Sequence, residues 1–272
     1  MKRGRHTARQ KHVGRTIVLI LMIAIFLGGL VYALYPIMTG LTLMHEARTV
    51  SEKFIRTLPY SQPYAMEAPS DTDDDATNEL PADTPYPELL AAMKAYNERI
   101  YAEGQSGLVD AWSYEAPSFD LTEYGIEDDV IGVLSIPSIN LQMPIYLGAT
   151  YGHMAAGAAH LSQTSLPIGG VNTNCVIAGH RGWSGAPYFL NMDKVEVGDT
   201  VTVTNLWVTL TYQVCEIRVI EPNDIDAVLI QPGRDMLTLI TCHPYASGGR
   251  YRLVVYCERT EEEPAQEPEP VA

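Results

Sequence analysis

The chain has 272 residues, of which 46% are hydrophobic, and carries 18 lysines and arginines against 33 aspartates and glutamates, which suits one or two folded domains with accessory segments. Six of the cations and no acid lie in residues 1–36, so the remainder is strongly acidic. This excludes nucleic acid as an expected partner, because phosphate binding needs clustered lysine and arginine. The 4 cysteines include no C-x-x-C pair, which excludes a zinc ribbon, a thioredoxin motif and a disulfide-rich scaffold.

The N-terminal segment contains a run of uncharged residues, 16–35, whose length is close to the roughly 20 apolar residues that span a bilayer. The cations precede this run, so the N-terminus should stay in the cytoplasm and the bulk of the chain should lie outside. A cleaved signal peptide is the alternative, but its apolar core is usually about 7–15 residues long and a small-residue cleavage site follows it. We therefore predict that residues 1–36 form a cytoplasmic basic segment and a single-pass anchor in the cell membrane.

Residues 37–128 are predicted to form an extracellular region of helices and linker. Apolar residues at helical spacing predict a helix over 41–58 and an amphipathic helix over 87–103, with Pro87 near its start. The acidic, proline-rich stretch between them is typical of a linker, and its aspartate run lacks the spacing of a calcium loop, so no metal site is predicted. A loop over about 104–125 then places an acid, Asp110, near a large aromatic, Trp112.

From residue 130 onward, short β-branched runs alternate with turns. Roughly eight strands with few helices predict a closed barrel or a sandwich, interrupted by one short helical piece at 187–195. The predicted strands lie at 130–136, 143–146, 174–180, 200–204, 207–214, 217–220, 236–241 and 253–256. The acidic, proline-rich residues 260–272 are predicted to form a disordered tail.

A candidate nucleophile lies at the end of one of these strands. Cys242 ends its apolar run and Arg252 precedes the next, so a hairpin would place both beside one loop. A thiol beside a guanidinium is a candidate nucleophile with a charge stabiliser, although an ordinary buried cysteine fits the same local pattern. Cys175, Cys215 and Cys257 lie within strand-like runs and are predicted to be core thiols.

A thiol nucleophile needs a base or an ion-pair partner, and His180 is the candidate. It follows a buried-looking strand and is flanked by Gly179 and Gly182, so its imidazole can project into a groove. An ordinary surface or structural histidine is the alternative. His243 is a weaker candidate, because adjacent residues of a strand point to opposite faces and its neighbour is Cys242.

These residues lie in ordered boxes that resemble the sortase family, the cysteine transpeptidases of Gram-positive cell surfaces. The boxes are T-L-I-T-C at 238–242, G-H-R-G at 179–182, R-L-V-V at 252–255 and the first strand pair at 130–148. The resemblance implies a mainly β catalytic domain over 129–259, an eight-stranded closed β-barrel with short helices. It also favours Arg252 over the nearby Arg250 as the functional arginine, because the R-L-V-V register matches.

Two further stretches, 159–174 and T-C-H-P-Y at 241–245, resemble class C, the pilus-assembling sortases. That class carries a lid with an Asp-Pro-aromatic motif over the active site. Here the corresponding residues are Asp110, Ala111 and Trp112, so alanine replaces the proline. Class C members also often have a C-terminal membrane segment, where this chain has its acidic tail.

The resemblance implies a reaction and a set of roles. Cys242, as thiolate, attacks the Thr–Gly carbonyl of an LPXTG-like sorting signal, His180, as imidazolium, protonates the leaving amine, and Arg252 stabilises the oxyanion. Thr241 is expected to contact the substrate, and no cofactor is expected. The acyl group then passes to a lysine amine of a pilin subunit or, in another sortase class, to the cell-wall precursor. A non-catalytic surface-binding module that keeps the fold remains a further interpretation.

Overall fold

The computed structural model describes residues 4–58, 84–108 and 117–260, with side chains of the first helix from residue 17 onward. Its α-helices are α1 (Gly4–Thr57), α2 (Pro87–Ala102) and α3 (Tyr151–Ala156). Most of the predicted linker, the predicted lid residues Asp110 and Trp112, and the tail from residue 261 lie outside the described residues.

Helix α1 runs without a break through the predicted anchor and the predicted helix that follows it. Its side chains are exposed from residue 17 to residue 38, and coverage by the rest of the protein begins at Thr39 and Gly40. Further along, Ala47, Ser51 and Phe54 are buried at helical spacing, so this part of α1 packs one face against the barrel. Within the described part of the chain, α1 is the one helix long and apolar enough to cross a membrane.

Helix α2 has Pro87 in its first turn, and its buried residues include the predicted apolar face. Asn97 on the same helix makes reciprocal contacts with Leu166: its Oδ1 accepts from the Leu166 N–H at 2.8 Å and its Nδ2 donates to the carbonyl at 3.4 Å. The predicted amphipathic helix is therefore confirmed, and it packs on the barrel.

Eight strands form the predicted closed barrel in the order β1-β2-β3-β4-β9-β10-β8-β7, and β5 pairs with β6 in a separate hairpin. The strands are β1 (Val130–Ile136), β2 (Leu141–Leu147), β3 (Ala158–His160), β4 (Thr173–Ala178), β5 (Arg181–Trp183), β6 (Ala186–Tyr188), β7 (Thr200–Asn205), β8 (Thr209–Ile220), β9 (Asp235–His243) and β10 (Tyr251–Arg259). Short 3₁₀ helices lie at Leu121–Tyr124, Pro137–Ile139, Phe189–Lys194 and Ile225–Val228.

The strand count agrees with the prediction, but two assignments were wrong. The runs 207–214 and 217–220 are one long strand, β8, whose pairing with β10 shifts register between Tyr256 and Cys257. This irregularity interrupts the alternation of side chains along β8. Because of that interruption, the sequence pattern predicted two short strands instead of one long one. The eighth barrel strand is instead β3, which was not predicted. The predicted short helical piece at 187–195 is confirmed, as the 3₁₀ helix Phe189–Lys194 that follows β6.

The sheet β4–β9–β10 has two distinct faces because side chains alternate along each strand. Ile177, Leu239 and Val255 point into the main core of the barrel. Ala178 and Ile240 belong to a second apolar cluster, which also holds Val254, Val228 and Leu108 and covers the other face. His180 and Cys242 continue the alternation of Ala178 and Ile240 beyond that cluster.

Candidate active site

Cys242 and Arg252 face each other across two antiparallel strands. They are directly paired in the register of β9 and β10. Directly opposite residues in such a pair carry their side chains on the same face of the sheet. Arg252 is buried, and its Nη1 donates hydrogen bonds to the carbonyl oxygens of Gly249 at 2.7 Å and Tyr251 at 3.2 Å.

The loop between these strands closes tightly over the pair. A Cβ at Gly249 would lie 3.1 Å from Arg252 Nη1 and 3.5 Å from Cys242 Sγ, and the residue has a φ of +80°. Glycine at this position therefore keeps the space between the thiol and the guanidinium open. Arg250, the alternative arginine, is exposed and precedes β10, so the geometry favours Arg252 as the partner of the thiol.

His180 lies on the other side of Cys242, because the strand that precedes it, β4, pairs in parallel with β9. The register pairs Ala178 with Ile240, and its continuation by two residues places His180 beside Cys242. Two bonds hold this continuation: the Gly179 N–H donates to the Ile240 carbonyl at 3.1 Å, and Thr241 Oγ1 donates to the Gly179 carbonyl at 2.7 Å. The predicted histidine, cysteine and arginine thus follow one another across three adjacent strands.

Thr241 precedes Cys242 on β9. Its side chain is fully buried, on the face of β9 opposite Cys242, and its hydroxyl is bonded to Gly179. The Thr241 hydroxyl thereby ties β9 to the segment that carries His180, and its predicted substrate contact stays a prediction.

The imidazole of His180 lies flat against Trp183. The ring centroids are 4.5 Å apart and the planes differ by 12°. His180 Nε2 is a buried atom with no hydrogen-bond partner among the described residues. Gly179, the residue before His180, leaves room for the Phe189 ring, since a Cβ there would lie 2.7 Å from that ring.

A second guanidinium, that of Arg181, was missed by the sequence reasoning. Arg181 is buried, its Nη1 lies 3.0 Å from Nδ1 of His243, and its Nη2 lies 3.1 Å from Oδ2 of Asp193. The guanidinium donates to His243 Nδ1, which gives this neighbour of Cys242 a fixed orientation. The sequence does show an arginine directly after the candidate histidine. Its partners, Asp193 and His243, lie in later segments of the chain, so a local pattern does not reveal them.

The electrostatics of the thiol combine two opposing effects. Burial raises the pKa of Cys242 above its usual 9.0, while the positive charges of Arg252 and Arg181 pull that pKa down. Burial also lowers the pKa of His180 below its usual 6.5. In the ligand-free protein these shifts favour the neutral thiol and the neutral imidazole over the implied thiolate–imidazolium pair.

The remaining cysteines divide into two kinds, and all four are free. Cys175 and Cys257 are core thiols as predicted, and burial raises the pKa of each. Cys215 is exposed, so its prediction as a core thiol was wrong. It lies at the register shift of β8, where Val214 and Glu216 pair with consecutive residues of β10 and Cys215 is left over.

The described residues offer one anchor point for the predicted lid. Leu108, two residues before Asp110, is buried in the same apolar cluster as Ala178 and Ile240. Just before it, Gln105 accepts a hydrogen bond from the Ile230 N–H at 2.6 Å and donates to the Gln163 carbonyl at 3.2 Å. In residues 17–58, 84–108 and 117–260, no group of three or more His, Cys, Asp or Glu side chains is arranged to hold a metal ion.

The sequence matches the family model described as the Sortase domain over residues 134–260. Sortase D of Bacillus subtilis is 26% identical over 130 residues, which cover 47% of this chain and 63% of that protein. Sortase A of Streptococcus agalactiae is 29% identical over 134 residues, which cover 47% of this chain and 52% of that protein. The chain therefore spans between half and two thirds of the length of these curated relatives.

Solved structures extend the similarity over more of the chain. Sortase C1 of group B Streptococcus pilus island 1 is 34% identical with a TM-score of 0.60, and the match covers 66% of this chain and 91% of that one. Sortase C-1 of Actinomyces oris is 36% identical with a TM-score of 0.55, covering 65% of this chain and 100% of that one. A lid mutant of Streptococcus agalactiae sortase C1 is 33% identical with a TM-score of 0.58, covering 66% and 91%.

Proposed function

Because this chain belongs to the sortase family of cysteine transpeptidases, we propose that it is a class C-like sortase that cleaves an LPXTG-like sorting signal between Thr and Gly and joins the acyl group to a lysine amine of a pilin subunit. The observation that carries the proposal is the adjacency of His180, Cys242 and Arg252 on β4, β9 and β10. The solved class C structures that resemble the chain support the choice of subclass.

In the first half of the proposed reaction, the thiol proton of Cys242 passes to His180, and Sγ attacks the carbonyl carbon of the threonine. The charge that develops on the carbonyl oxygen is stabilised by the guanidinium of Arg252. His180 donates a proton to the glycine nitrogen as the C–N bond breaks, and the threonine acyl group remains as a thioester on Cys242.

In the second half, the acceptor amine attacks the thioester carbonyl. His180 accepts a proton from the amine, a new C–N bond forms as the C–S bond breaks, and Cys242 leaves as the thiolate, which then takes the proton from His180. The positive charges of Arg181 and Arg252 favour the thiolate both as attacking group and as leaving group. We assign Arg181 to this electrostatic role and Thr241 to positioning.

The full chain should be mixed with an LPXTG-type peptide, and the mass of the protein should increase by that of the acyl fragment that runs from the peptide's N-terminus through its threonine, attached at Cys242. A Cys242→Ala variant is the control and should show no increase, while Cys215→Ala, which removes the exposed thiol, should acylate like the wild type. An unmodified Cys242 under these conditions would favour a non-catalytic surface-binding module.

A second candidate function follows from the curated relatives, which are named sortases A and D. In this alternative the acyl group passes to the cell-wall precursor, as in other sortase classes. The acceptor separates the two: a pilin lysine gives ladders of covalent polymer on a denaturing gel, and a wall precursor gives single attachment.

We also propose a cellular place and a domain division. Residues 1–36 would hold the cytoplasmic segment and membrane anchor, residues 37–128 the extracellular connection, and 129–259 the extracellular catalytic domain. The exposed apolar length of α1 and the cations that precede it support this topology.

The lid proposal rests on Asp110 and Trp112, and the burial of Leu108 beside the site face supports it. Replacing both lid residues by alanine should raise the rate at which Cys242 reacts with a small thiol reagent several-fold, because the thiol is no longer covered. Alkylation rates followed by mass spectrometry check this. An unchanged rate would remove the lid from the mechanism.

A further inference from the structure

Where its exposed stretch ends, α1 contacts the turn between β5 and β6, the hairpin outside the barrel. Thr39 Oγ1 donates a hydrogen bond to the carbonyl of Ser184 at 2.8 Å. A Cβ at Gly40 would lie 2.2 Å from the carbonyl oxygen of Gly185. These contacts coincide with the point where the exposed stretch of α1, residues 17–38, ends. The helix and the turn are therefore in direct backbone contact, which a larger residue at position 40 would prevent.

This contact lies close to the end of the predicted membrane span. From residue 35 to Gly40 the helix rises by about 7.5 Å, at roughly 1.5 Å per residue. The headgroup layer on each side of the hydrocarbon core is roughly 5–7 Å thick. A helix that spans the bilayer with residues 16–35 thus carries the Ser184–Gly185 turn at the outer edge of the headgroups.

The surface around this turn has the composition of a membrane interface. Tyr151 begins α3, which also contacts α1, and its side chain is 64% exposed. The Tyr151 ring packs edge-on against Trp183, with centroids 5.7 Å apart. Tyrosine and tryptophan are enriched at headgroup depth, where an apolar ring and a polar atom are both accommodated.

We propose that Tyr151, Trp183, Ser184 and Gly185 form a surface that contacts the lipid headgroups of the membrane that α1 spans. The inference rests on the anchor in the proposed function and adds the orientation of the active site relative to the bilayer. Because Trp183 stacks on His180, the candidate catalytic histidine lies one aromatic ring away from that surface. A sorting signal that is still tethered to the same membrane would meet the site at the bilayer surface.

Fluorescence quenching in vesicles of phosphatidylcholine and phosphatidylglycerol tests the orientation. The full chain with Cys215→Ser and Cys242→Ala keeps only its two buried cysteines, so an environment-sensitive dye can be attached at Ser184→Cys. The matched control is Val171→Cys, which is 62% exposed and precedes β4, at the end of that strand away from His180. A nitroxide on the lipid headgroup should quench the dye at position 184 several-fold more than at position 171. Tyr151→Cys gives a second reporter on the proposed surface.

A dye at Ile25→Cys, within the exposed apolar stretch, separates the two hypotheses. Quenching at position 25 by a nitroxide deep in the acyl chains, together with equal quenching at 184 and 171, would overturn the orientation and leave the anchor standing. Absence of quenching at position 25 would overturn the anchor and the orientation together.

A pair of identical substitutions in α1 tests the contact itself. Gly40→Leu introduces a side chain against the Gly185 backbone, whereas a Cβ at Gly29 has nothing within 4 Å. With the dye at position 184, Gly40→Leu should reduce headgroup quenching to the level seen at position 171, and Gly29→Leu should leave it unchanged. Retained quenching in Gly40→Leu would contradict the role of this contact in placing the turn.

Discussion

The central strand β9 carries a polar cluster at each end, and the two clusters differ in how their polar atoms are paired. At the N-terminal end, the carboxylate of Asp235 accepts hydrogen bonds from the Gly170 N–H at 2.9 Å, Thr173 Oγ1 at 3.3 Å and the Tyr212 hydroxyl at 3.3 Å. Buried polar groups paired in this way stabilise a fold, and removing one partner costs free energy.

At the C-terminal end of the same strand, Cys242 lies between His180 and Arg252, and His180 Nε2 has no partner within the described ranges. A buried polar atom left unpaired destabilises the protein unless a ligand satisfies it. The comparison teaches that one end of β9 serves stability and the other keeps hydrogen-bonding capacity for a substrate.

Replacement of His180, beside the C-terminal end of β9, should lower the activity more than any of the substitutions below. His180→Ala should lower kcat/KM for cleavage of the sorting peptide by about 10²–10⁴-fold, the usual contribution of a general acid–base. Its thermal stability should change little, because loss of the stacking on Trp183 is offset by removal of the unpaired buried nitrogen. His153→Ala should behave in the opposite way, since its ring bonds Gly148 and Asp129 outside the site. Acylation by His180→Ala at the wild-type rate would contradict the proposed role.

Arg252 on β10 and Arg250 in the preceding loop form a matched pair that tests which guanidinium acts on the thiol. Arg252→Lys should lower kcat/KM by about 10²-fold, the cost of losing one well-placed oxyanion donor. Arg250→Lys should keep nearly full activity because Arg250 is exposed and has no paired position opposite the thiol. Steady-state kinetics of the two variants check this, and the reverse result would move the role to Arg250.

Asp235 tests the stabilising end. Asp235→Ala removes the acceptor of the exposed Gly170 N–H and of the hydroxyl of the buried Tyr212, whereas Thr173 keeps its 2.6 Å bond to the Gly170 carbonyl. A buried donor left unsatisfied costs about 1–3 kcal/mol. The free energy of unfolding, measured by denaturant titration, should therefore fall, while kcat/KM below the melting temperature should be preserved. A variant that is stable but inactive would show that the two ends are coupled.

The same residue predicts a pH dependence of stability. Burial raises the pKa of Asp235 above its usual 3.8, against the opposing hydrogen bonds and the charge of Arg259. The folded state then holds the proton more tightly than the unfolded state, so this stabilisation is complete at low pH and is lost as pH rises through the raised pKa. The unfolding free energy of the wild type relative to Asp235→Asn should fall over that range, and a rise would contradict the raised pKa.

Arg181 should give the smallest effect, because its charge lowers the pKa of Cys242 less than that of Arg252 does. Arg181→Gln should raise the pKa of Cys242 further and slow its alkylation by iodoacetamide at neutral pH several-fold, whereas Arg181→Lys should keep most of the rate. The pH profile of alkylation separates a charge effect from a structural one. Identical profiles for Gln and wild type would remove Arg181 from the electrostatics of the site.

Strands and loops that are marked by a local sequence pattern could be predicted from the sequence. Elements that exist only because distant segments pair in the folded protein could not. The apolar runs predicted most barrel strands, and the hairpin logic predicted that Cys242 faces Arg252. Strand β3, Ala158–His160, was missed because three small or polar residues give no alternation, although its burial is complete.

The β5–β6 hairpin shows why the rest could not be predicted. Its two-residue turn, Ser184 and Gly185, has φ of 47° and 87°, and the strands on either side are only three residues long. Sequence reasoning took this stretch for a glycine-rich loop. The partners of Arg181 and the hydroxyl bond of Thr241 likewise depend on which segments the barrel brings together.

The pairing of Tyr251 with His243 and of Arg252 with Cys242 closes the β9–β10 hairpin before its loop begins. At the far end of the loop, the Gly249 carbonyl accepts a hydrogen bond from the guanidinium of Arg252. Residues 244–248 therefore connect two segments whose positions are already fixed by other contacts. Length and side chains in this segment can change without moving the sulfur or the guanidinium. The hairpin thus separates a fixed part, the paired strands that hold the thiol and the guanidinium, from a connecting part, residues 244–248, whose sequence is less constrained by them.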